Sequence, residues 1–145
     1  MTKLFEPIKI RGLEVRNRAW IPPMCMYSCE NRDGVVGDWH LMHLGSFASG
    51  GAGLIIVEAS AVNPIGRITP WDAGIWSDDH IAPWLKVNNL IHSLGAKSAI
   101  QLAHAGRKAG THREWSGVGS LPIEDGGWQT VSATDVAFGE YAAPR

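Results

Sequence analysis

Four consecutive apolar residues, Leu54 to Val57, constrain the fold more than any other stretch of the sequence. Three of the four are β-branched, and no polar residue alternates with them. Such a run is typical of a strand that is buried on both faces, as strands are in parallel sheets. Because parallel strands need long crossover connections, usually helices, the run predicts an α/β fold.

Two segments around this run have the apolar spacing of helices. The first extends from Asp38, a candidate N-cap, to Ser49, and the second extends from Asp78 or Asp79 to about Leu94. Each is followed directly by glycine, the residue that most often ends a helix. On the second helix, the predicted face comprises Ile81, Leu85, Asn88, Asn89 and His92.

Shorter apolar strands are predicted at residues 19–21 and 97–102. The order strand, helix, strand, helix, strand indicates right-handed βαβ units from about residue 19 to 102. A hairpin over residues 7–16 precedes them, since apolar residues alternate there on both sides of a turn. Residues 103–145 keep neither a helical nor a strand period, so we expect an irregular excursion after the third strand.

Three parallel strands with a long irregular tail do not make a complete domain. The outer edge of such a sheet would be exposed and hydrophobic, and compact domains rarely contain so long a segment without structure. We therefore predict that residues 1–145 form the N-terminal part of one larger domain. The remainder is expected on a C-terminal segment or on a second chain.

Composition narrows the classes of partner. A net charge of −1 and an isoelectric point near 6.6 give no electrostatic reason to expect nucleic acid or an anionic membrane. No apolar run approaches the roughly 20 residues that span a bilayer. The N-terminal segment, broken at Pro7, lacks the apolar core of a signal peptide. The two cysteines, Cys25 and Cys29, are too few for a disulfide framework, so a cytoplasmic location is expected.

Side chains with useful chemistry follow each predicted strand. Cys25 and Tyr27 come after the first, Ala59 comes after the second, and Gln101 ends the third. Because the C-terminal ends of parallel strands meet at one edge, where ligands bind in α/β proteins, we expect one shared site. A glutamine amide can both donate and accept hydrogen bonds at a heterocycle edge. Three basic residues that could hold an anionic ring or phosphate follow directly: His104, Arg107 and Lys108.

A metal site is the competing interpretation of these residues. Cys25 and Cys29 have a zinc-like spacing, and Asp38, His40 and His43 could add ligands. However, no second cysteine pair accompanies them, and histidines three residues apart on a helix also suit ordinary packing. A lone cysteine is, in addition, often a buried small hydrophobe. We therefore predict no metal.

Five segments stand in a fixed order along the chain: KLFEPIKIRGLEVRNR, PPMCMYS, GLIIVEASAVNPIGR, GIWSDDH and IQLAHAGRK. Together they resemble the old yellow enzyme family of flavin-dependent ene-reductases, in particular its bacterial xenobiotic reductase or "thermophilic-like" branch. The resemblance covers about residues 3–109, and residues 110–145 resemble the variable excursion of that family more loosely. It implies an α/β fold of the TIM-barrel (β/α)8 type, with FMN at the C-terminal ends of the strands.

The resemblance also implies which residues touch cofactor and substrate. Cys25 and Tyr27 would be catalytic, with the Cys25 thiol tuning the redox potential of the flavin. Tyr27 and Lys108 would line the substrate pocket. The implied FMN contacts are Pro22, Pro23, Met24, Cys25, Ala59 and Gln101.

By the same resemblance, NADPH or NADH would reduce FMN, and the flavin would then reduce an activated C=C bond, as in α,β-unsaturated carbonyl compounds. The histidine or histidine–asparagine pair that activates the carbonyl would lie beyond residue 145, and a homo-oligomer is implied. Three alternatives stay open. They are a larger flavoenzyme of the dienoyl-CoA reductase or trimethylamine dehydrogenase kind, a metal-dependent TIM-barrel hydrolase, and a non-catalytic fragment that completes a partner's barrel.

Overall fold

The computed structural model describes residues 3–145 as a parallel sheet with two helices, a hairpin and a long irregular segment. A hairpin of β1 and β2 precedes a three-stranded parallel sheet with the strand order β3-β4-β5. The predicted order of strands and helices is confirmed. The elements are β1 (Ile8–Ile10), β2 (Leu13–Val15), β3 (Trp20–Ile21), α1 (Asp38–Ser49), β4 (Leu54–Ala61), α2 (Ile81–Ser93) and β5 (Lys97–Ala103).

The hydrophobic core lies between the sheet and the two helices. From β4, Ile55 and Val57 face it with 0% and 2% of their surface exposed. Both faces of β4 are largely buried, as its apolar run predicts. The helices contribute Leu44 and Ala48 from α1 and Trp84, Val87 and Ile91 from α2.

The predicted face of α2 is wrong. Ile81 and Leu85 are exposed, and the buried stripe is instead Trp84, Val87 and Ile91. Both stripes have helical spacing, so periodicity alone does not distinguish them. The larger Trp84 ring takes the core position because its indole N–H donates to the Gly74 carbonyl at 3.0 Å, which leaves no unpaired polar group.

Both helices begin with the same local arrangement, which also corrects the predicted N-caps. The N-cap of α1 is Gly37 rather than Asp38, and its N–H donates to Nδ1 of His40 at 3.1 Å. A 3-10 turn capped by Ser77 precedes α2, and the Ser77 N–H donates to Nδ1 of His80 at 3.2 Å. In each case a histidine three residues after the capping residue accepts the N–H of that residue, one of the donors left free near a helix start.

The hairpin lies at the end of the sheet where the helices finish. Arg16, just after β2, donates to the carbonyls of Ala48 (3.1 Å), Ala52 (2.8 Å) and Leu94 (2.8 Å). A guanidinium suits these positions because helix C-terminal carbonyls carry partial negative charge. In βαβ units, helices end near the N-terminal ends of the following strands. The loops that leave the C-terminal strand ends are therefore at the opposite end from the hairpin.

The segment after β5 is irregular but well anchored. The guanidinium of Arg107 donates to the Ser132 hydroxyl, the Thr134 hydroxyl and the Val136 carbonyl at 3.2, 2.9 and 3.0 Å. The indole N–H of Trp128 donates to the Ile65 carbonyl at 2.9 Å. The excursion thus packs on the loop after β4. Within residues 3–145, no helix is long and apolar enough to cross a membrane.

The assignment of the core predicts that two matched isoleucine-to-alanine substitutions lower the free energy of unfolding by different amounts. Ile91→Ala removes a side chain that is 0% exposed and should lower the free energy of unfolding by about 2–5 kcal/mol, because a cavity is left behind. Ile123→Ala removes the same atoms from a side chain that is 71% exposed, so its effect should stay within about 1 kcal/mol. Denaturant unfolding of the complete protein measures both, and equal losses would contradict the assignment.

Candidate functional site

The loop after β3, residues 22–28 (the first loop), carries Cys25 and Tyr27 outside regular secondary structure. Tyr27 has a φ of +52°, a conformation that bulky residues rarely adopt. Such a backbone persists only where its surroundings hold it. The anchors are the Ser28 hydroxyl, which donates to the Met26 carbonyl at 3.0 Å, and the Cys29 N–H, which donates to the Trp71 carbonyl at 3.0 Å.

A β-bulge in β4 supports this loop. Val57 pairs with Ile100 and Ala59 pairs with Gln101, so Glu58 is an extra residue without a partner on β5. The apolar run predicts a strand that ends at Val57, but β4 continues to Ala61 and the bulge lies inside it. Because a bulge resets the alternation of side chains, Ala59 rather than Glu58 takes the position beside Gln101.

The side chain of Glu58 is buried and turns toward the loop. One carboxylate oxygen, Oε2, accepts the Met26 N–H at 3.2 Å. The other, Oε1, lies 3.5 Å from Nε2 of His40, which is 2% exposed. The sequence alone identifies neither residue as part of this arrangement, because nothing in the local pattern reveals a bulge.

The Cys25 thiol lies against the bulge. Burial raises its pKa to about 11, and a hydrogen bond from the Ala59 backbone lowers it only partly. The charges of Asp72 and Glu58 raise it further. At neutral pH the group is therefore a neutral thiol, a weak donor rather than a nucleophilic thiolate.

Tyr27 faces the irregular excursion. Its ring centre is 6.1 Å from that of Trp115, with the two planes inclined by 49°. Burial raises the pKa of its hydroxyl above the ordinary value, so the phenol keeps its proton at neutral pH. A cavity of about 220 Å3 opens beside Tyr27, and Thr111, His112, Glu114 and Tyr141 contribute to its walls.

Gln101 and Ala59 lie opposite each other across β4 and β5, and Cys25 contacts Ala59. Gln101 is exposed, and its amide makes no hydrogen bond within the part of the chain that the structure describes. A free amide next to a small residue and an exposed loop suits the polar edge of a planar heterocycle. The structure thus brings together three of the predicted cofactor residues.

The other predicted residues are positioned as follows. Pro22 and Met24 are exposed and Pro23 is half-buried, all in the same loop as Cys25. Lys108 is exposed on the 3-10 turn Gly106–Lys108, with its ammonium 3.8 Å from the centre of the Phe138 ring. Among residues 3–145, Lys108 forms neither a hydrogen bond nor a cation–π contact with Tyr27.

Arg107 is not available for an anion in this arrangement, because all three of its guanidinium nitrogens bond to the excursion. His104 accepts the Gly106 N–H at Nδ1. Among the described residues, no three His, Cys, Asp or Glu side chains converge as a metal site would require. His43 instead stacks on the ring of Trp39, and Cys29 is buried.

Tryptophan and arginine side chains join the three loops around the site. The guanidinium groups of Arg32 and Arg113 lie 4.3 and 4.2 Å from the centre of the Trp71 ring. Arg113 also forms a bidentate ion pair with Glu30 at 2.9 and 2.6 Å. These contacts link the segment just after the first loop, which holds Glu30 and Arg32, to the loop after β4 and to the excursion. Trp71 therefore serves to pack these loops together.

A buried carboxylate lies under this stack. Asp72 is 3% exposed and accepts hydrogen bonds from the Ile68 N–H, the Thr69 N–H and the Thr69 hydroxyl at 2.6, 2.9 and 2.8 Å. Burial raises its pKa to about 6, although these bonds favour the charged form. Asp72 thus orders the loop after β4 beside Cys25 and Tyr27, a role that the sequence pattern does not reveal.

Comparison with known proteins shows which family and which relatives this chain resembles. A family model described as the NADH:flavin oxidoreductase / NADH oxidase family matches residues 3–136. An NADPH dehydrogenase of Halalkalibacterium halodurans is 54% identical over 107 residues, which are 74% of this chain and 32% of that relative. An NADPH dehydrogenase of Listeria monocytogenes is 41% identical over 143 residues, 99% of this chain and 42% of that relative. The chain therefore spans less than half the length of these relatives.

Solved structures with similar folds include morphinone reductase, with a TM-score of 0.73 and 28% identity over 92% of this chain and 32% of that one. An old yellow enzyme from Pichia sp. aligns with a TM-score of 0.69 and 30% identity, over 75% of this chain and 28% of that one. These matches confirm the predicted resemblance and the fold class, the N-terminal part of a (β/α)8 barrel.

The raised pKa of Cys25 predicts a distinctive alkylation profile. With a pKa of about 11 instead of 9.0, its thiolate fraction at pH 8 is about 100-fold lower than that of an ordinary cysteine. Alkylation by iodoacetamide, followed at Cys25 by mass spectrometry, should keep accelerating beyond pH 10, toward the pKa of about 11. A free cysteine peptide treated in parallel should level off near pH 9. A plateau at that pH for Cys25 would contradict the assigned environment.

Proposed function

This chain belongs to the NADH:flavin oxidoreductase / NADH oxidase family, and we propose that it forms the N-terminal part of an FMN-dependent oxidoreductase. The observation that supports this most is the meeting of Cys25, Ala59 and Gln101 at neighbouring strand ends. The names of its relatives, NADPH dehydrogenases, and of a similar structure, morphinone reductase in complex with tetrahydroNAD, support NADPH or NADH as the reductant.

The residues present fit a flavin. The loop residues Pro22, Pro23 and Met24 would line one side of the ring, with the Cys25 thiol at its polar edge. Ala59 has only a methyl group, so a planar ring can approach the backbone of β4 closely. The unpaired amide of Gln101 would supply both a donor and an acceptor to the pyrimidine part of the ring.

When bound, FMN would accept hydride from NADPH or NADH and pass it to the substrate. The neutral Cys25 thiol offers a weak hydrogen-bond donor to the cofactor, and through it adjusts the electron density of the ring. The Tyr27 hydroxyl keeps its proton and can donate a hydrogen bond to a substrate oxygen. The Lys108 ammonium adds positive charge at the rim on the excursion side.

We further propose that the substrates are activated alkenes, such as α,β-unsaturated carbonyl compounds. A hydrogen-bond donor such as Tyr27 can hold the activating oxygen of such a substrate, and the Tyr27 and Trp115 rings provide apolar walls for its carbon skeleton. The groups that bind the FMN phosphate and polarise the carbonyl are assigned to the rest of the barrel, which is the required partner of this chain.

The visible absorption spectrum of the complete protein tests the flavin assignment. The purified protein should show flavin bands that change to those of free FMN when the protein is denatured. A colourless protein that takes up no added FMN would contradict the proposal.

A matched pair of variants tests the role of Gln101. Gln101→Ala should weaken FMN retention about tenfold, the typical effect of losing one good hydrogen bond. Gln129→Ala, which alters an exposed glutamine on the excursion, should leave FMN affinity unchanged. If both variants bind FMN as the wild type does, Gln101 does not contact the ring.

Substitutions of Cys25 and Tyr27 should change different properties, the reduction potential of the flavin and the KM for the alkene. Cys25→Ala should keep FMN bound but shift the reduction potential of the flavin, because the thiol faces the cofactor. Tyr27→Phe should raise the KM for the alkene with little change in flavin content. Redox titration and steady-state kinetics separate the two effects. An unchanged potential in the first variant, or loss of flavin in the second, would reverse the assignment.

A further inference from the structure

Glu58 is a buried carboxylate to which the proposed function assigns no role. It is 6% exposed, and it is the extra residue of the bulge in β4. A buried charge is costly unless polar partners surround it. Its two partners come from other elements, namely the Met26 N–H at 3.2 Å from the first loop and Nε2 of His40 at 3.5 Å from α1.

Both partners present a proton to Glu58. Because Nδ1 of His40 accepts the Gly37 N–H at 3.1 Å, that nitrogen is unprotonated and the ring proton resides on Nε2. Nε2 makes no hydrogen bond among the described residues, and Oε1 of Glu58 lies 3.5 Å away, so a small shift would let the carboxylate accept its N–H. A carboxylate, which accepts hydrogen bonds and donates none, can satisfy both the Met26 N–H and the Nε2–H of His40.

The bulge places two consecutive residues against the same short stretch of loop. Glu58 accepts from Met26, the residue between Cys25 and Tyr27. The backbone of Ala59, the next residue, lies near the Cys25 thiol. In a regular strand, consecutive side chains point to opposite faces. The extra residue is what lets Glu58 reach the loop while Ala59 keeps its pairing with Gln101.

We propose that Glu58, held in place by His40, is a positioning residue that fixes Cys25 and Tyr27 in the first loop. It touches neither cofactor nor substrate and acts through the Met26 backbone. Its effect on the flavin rests on the proposed function, whereas its effect on the Cys25 thiol does not.

Replacing the carboxylate by an amide separates hydrogen bonding from charge. Glu58→Gln brings an NH2 group against either Met26 or His40, so one donor meets another. Cys25 should then move more freely, and its alkylation should accelerate about tenfold, the factor expected for losing a hydrogen bond to a charged group. In the flavin-loaded protein, the reduction potential should shift in the same variant.

The double variant E58Q/H40Q should reverse the changes in alkylation rate and reduction potential that E58Q causes. The amide oxygen introduced by H40Q can accept from the NH2 group introduced by E58Q, near the position that Nε2 of His40 occupies. The amide oxygen at position 58 is then free to accept the Met26 N–H. The charge remains absent, but the hydrogen bonds of the side chain at position 58 are restored, so the alkylation rate and potential should return most of the way to wild-type values. If the double variant stays as altered as E58Q, the charge of Glu58 acts alone and the positioning role is overturned.

Histidine variants test the same contact without changing Glu58. The shorter amide of H40N can keep the bond to the Gly37 N–H but offers no donor to the carboxylate, whereas the longer amide of H40Q can supply one. H40N should therefore accelerate Cys25 alkylation and H40Q should not, even if E58Q fails to fold. E14Q, which alters an exposed carboxylate on the hairpin at the other end of the sheet, serves as the control.

The experiment uses the complete protein and follows alkylation at Cys25 by mass spectrometry, with flavin content and redox titration measured in parallel. Alkylation that is unchanged in both E58Q and H40N would overturn the proposal. An altered alkylation rate in a protein that binds no flavin would support the positioning role and count against the proposed function alone.

Discussion

The carboxylate of Glu58 accepts the Met26 N–H from the first loop, while the backbone of the next residue, Ala59, lies near the Cys25 thiol. The rest of the site depends on this pair of contacts. A single extra residue in β4 makes them possible, because it turns Glu58 toward the loop and leaves Ala59 beside Gln101. The sheet thus supplies a rigid base, and the chemically useful side chains lie on a loop fixed to that base.

A second set of contacts holds the surrounding loops. The guanidinium groups of Arg32 and Arg113 lie against the Trp71 ring. Arg107 stabilises the excursion through three hydrogen bonds. These interactions replace regular secondary structure in the segment after β5. They explain how a segment with little periodicity can still form one wall of a pocket beside Tyr27.

Sequence reasoning predicted those parts of the fold that depend on local pattern. The apolar run at residues 54–57 indicated the parallel sheet, and the glycines after each helix indicated the helix ends. The buried face of α2 was predicted wrongly because two apolar stripes have the same period, and only tertiary packing of Trp84 selects between them. The bulge at Glu58 has no local signature, since it is defined by pairing with β5.

A short polar pattern precedes or begins both helices, and apolar periodicity does not reveal it. Asp and His stand at the same offsets in residues 37–40 and 77–80, and both histidines bond back to the N-cap N–H. Their free ring N–H groups then reach outside the helix, to Glu58 in one case and to the Asp33 carbonyl in the other. The assignment of Lys108 to the site rests on the resemblance alone and stays a prediction, because the contact that the structure gives its ammonium is with the Phe138 ring.

The central claim is that the first loop and the ends of β4 and β5 form one wall of a flavin site. A crystal structure of the complete protein with bound flavin tests it most directly. Cys25, Ala59 and Gln101 should all contact the ring, with the Gln101 amide hydrogen-bonded to its pyrimidine edge. A ring bound elsewhere, or a Gln101 amide turned away from it, would contradict the account.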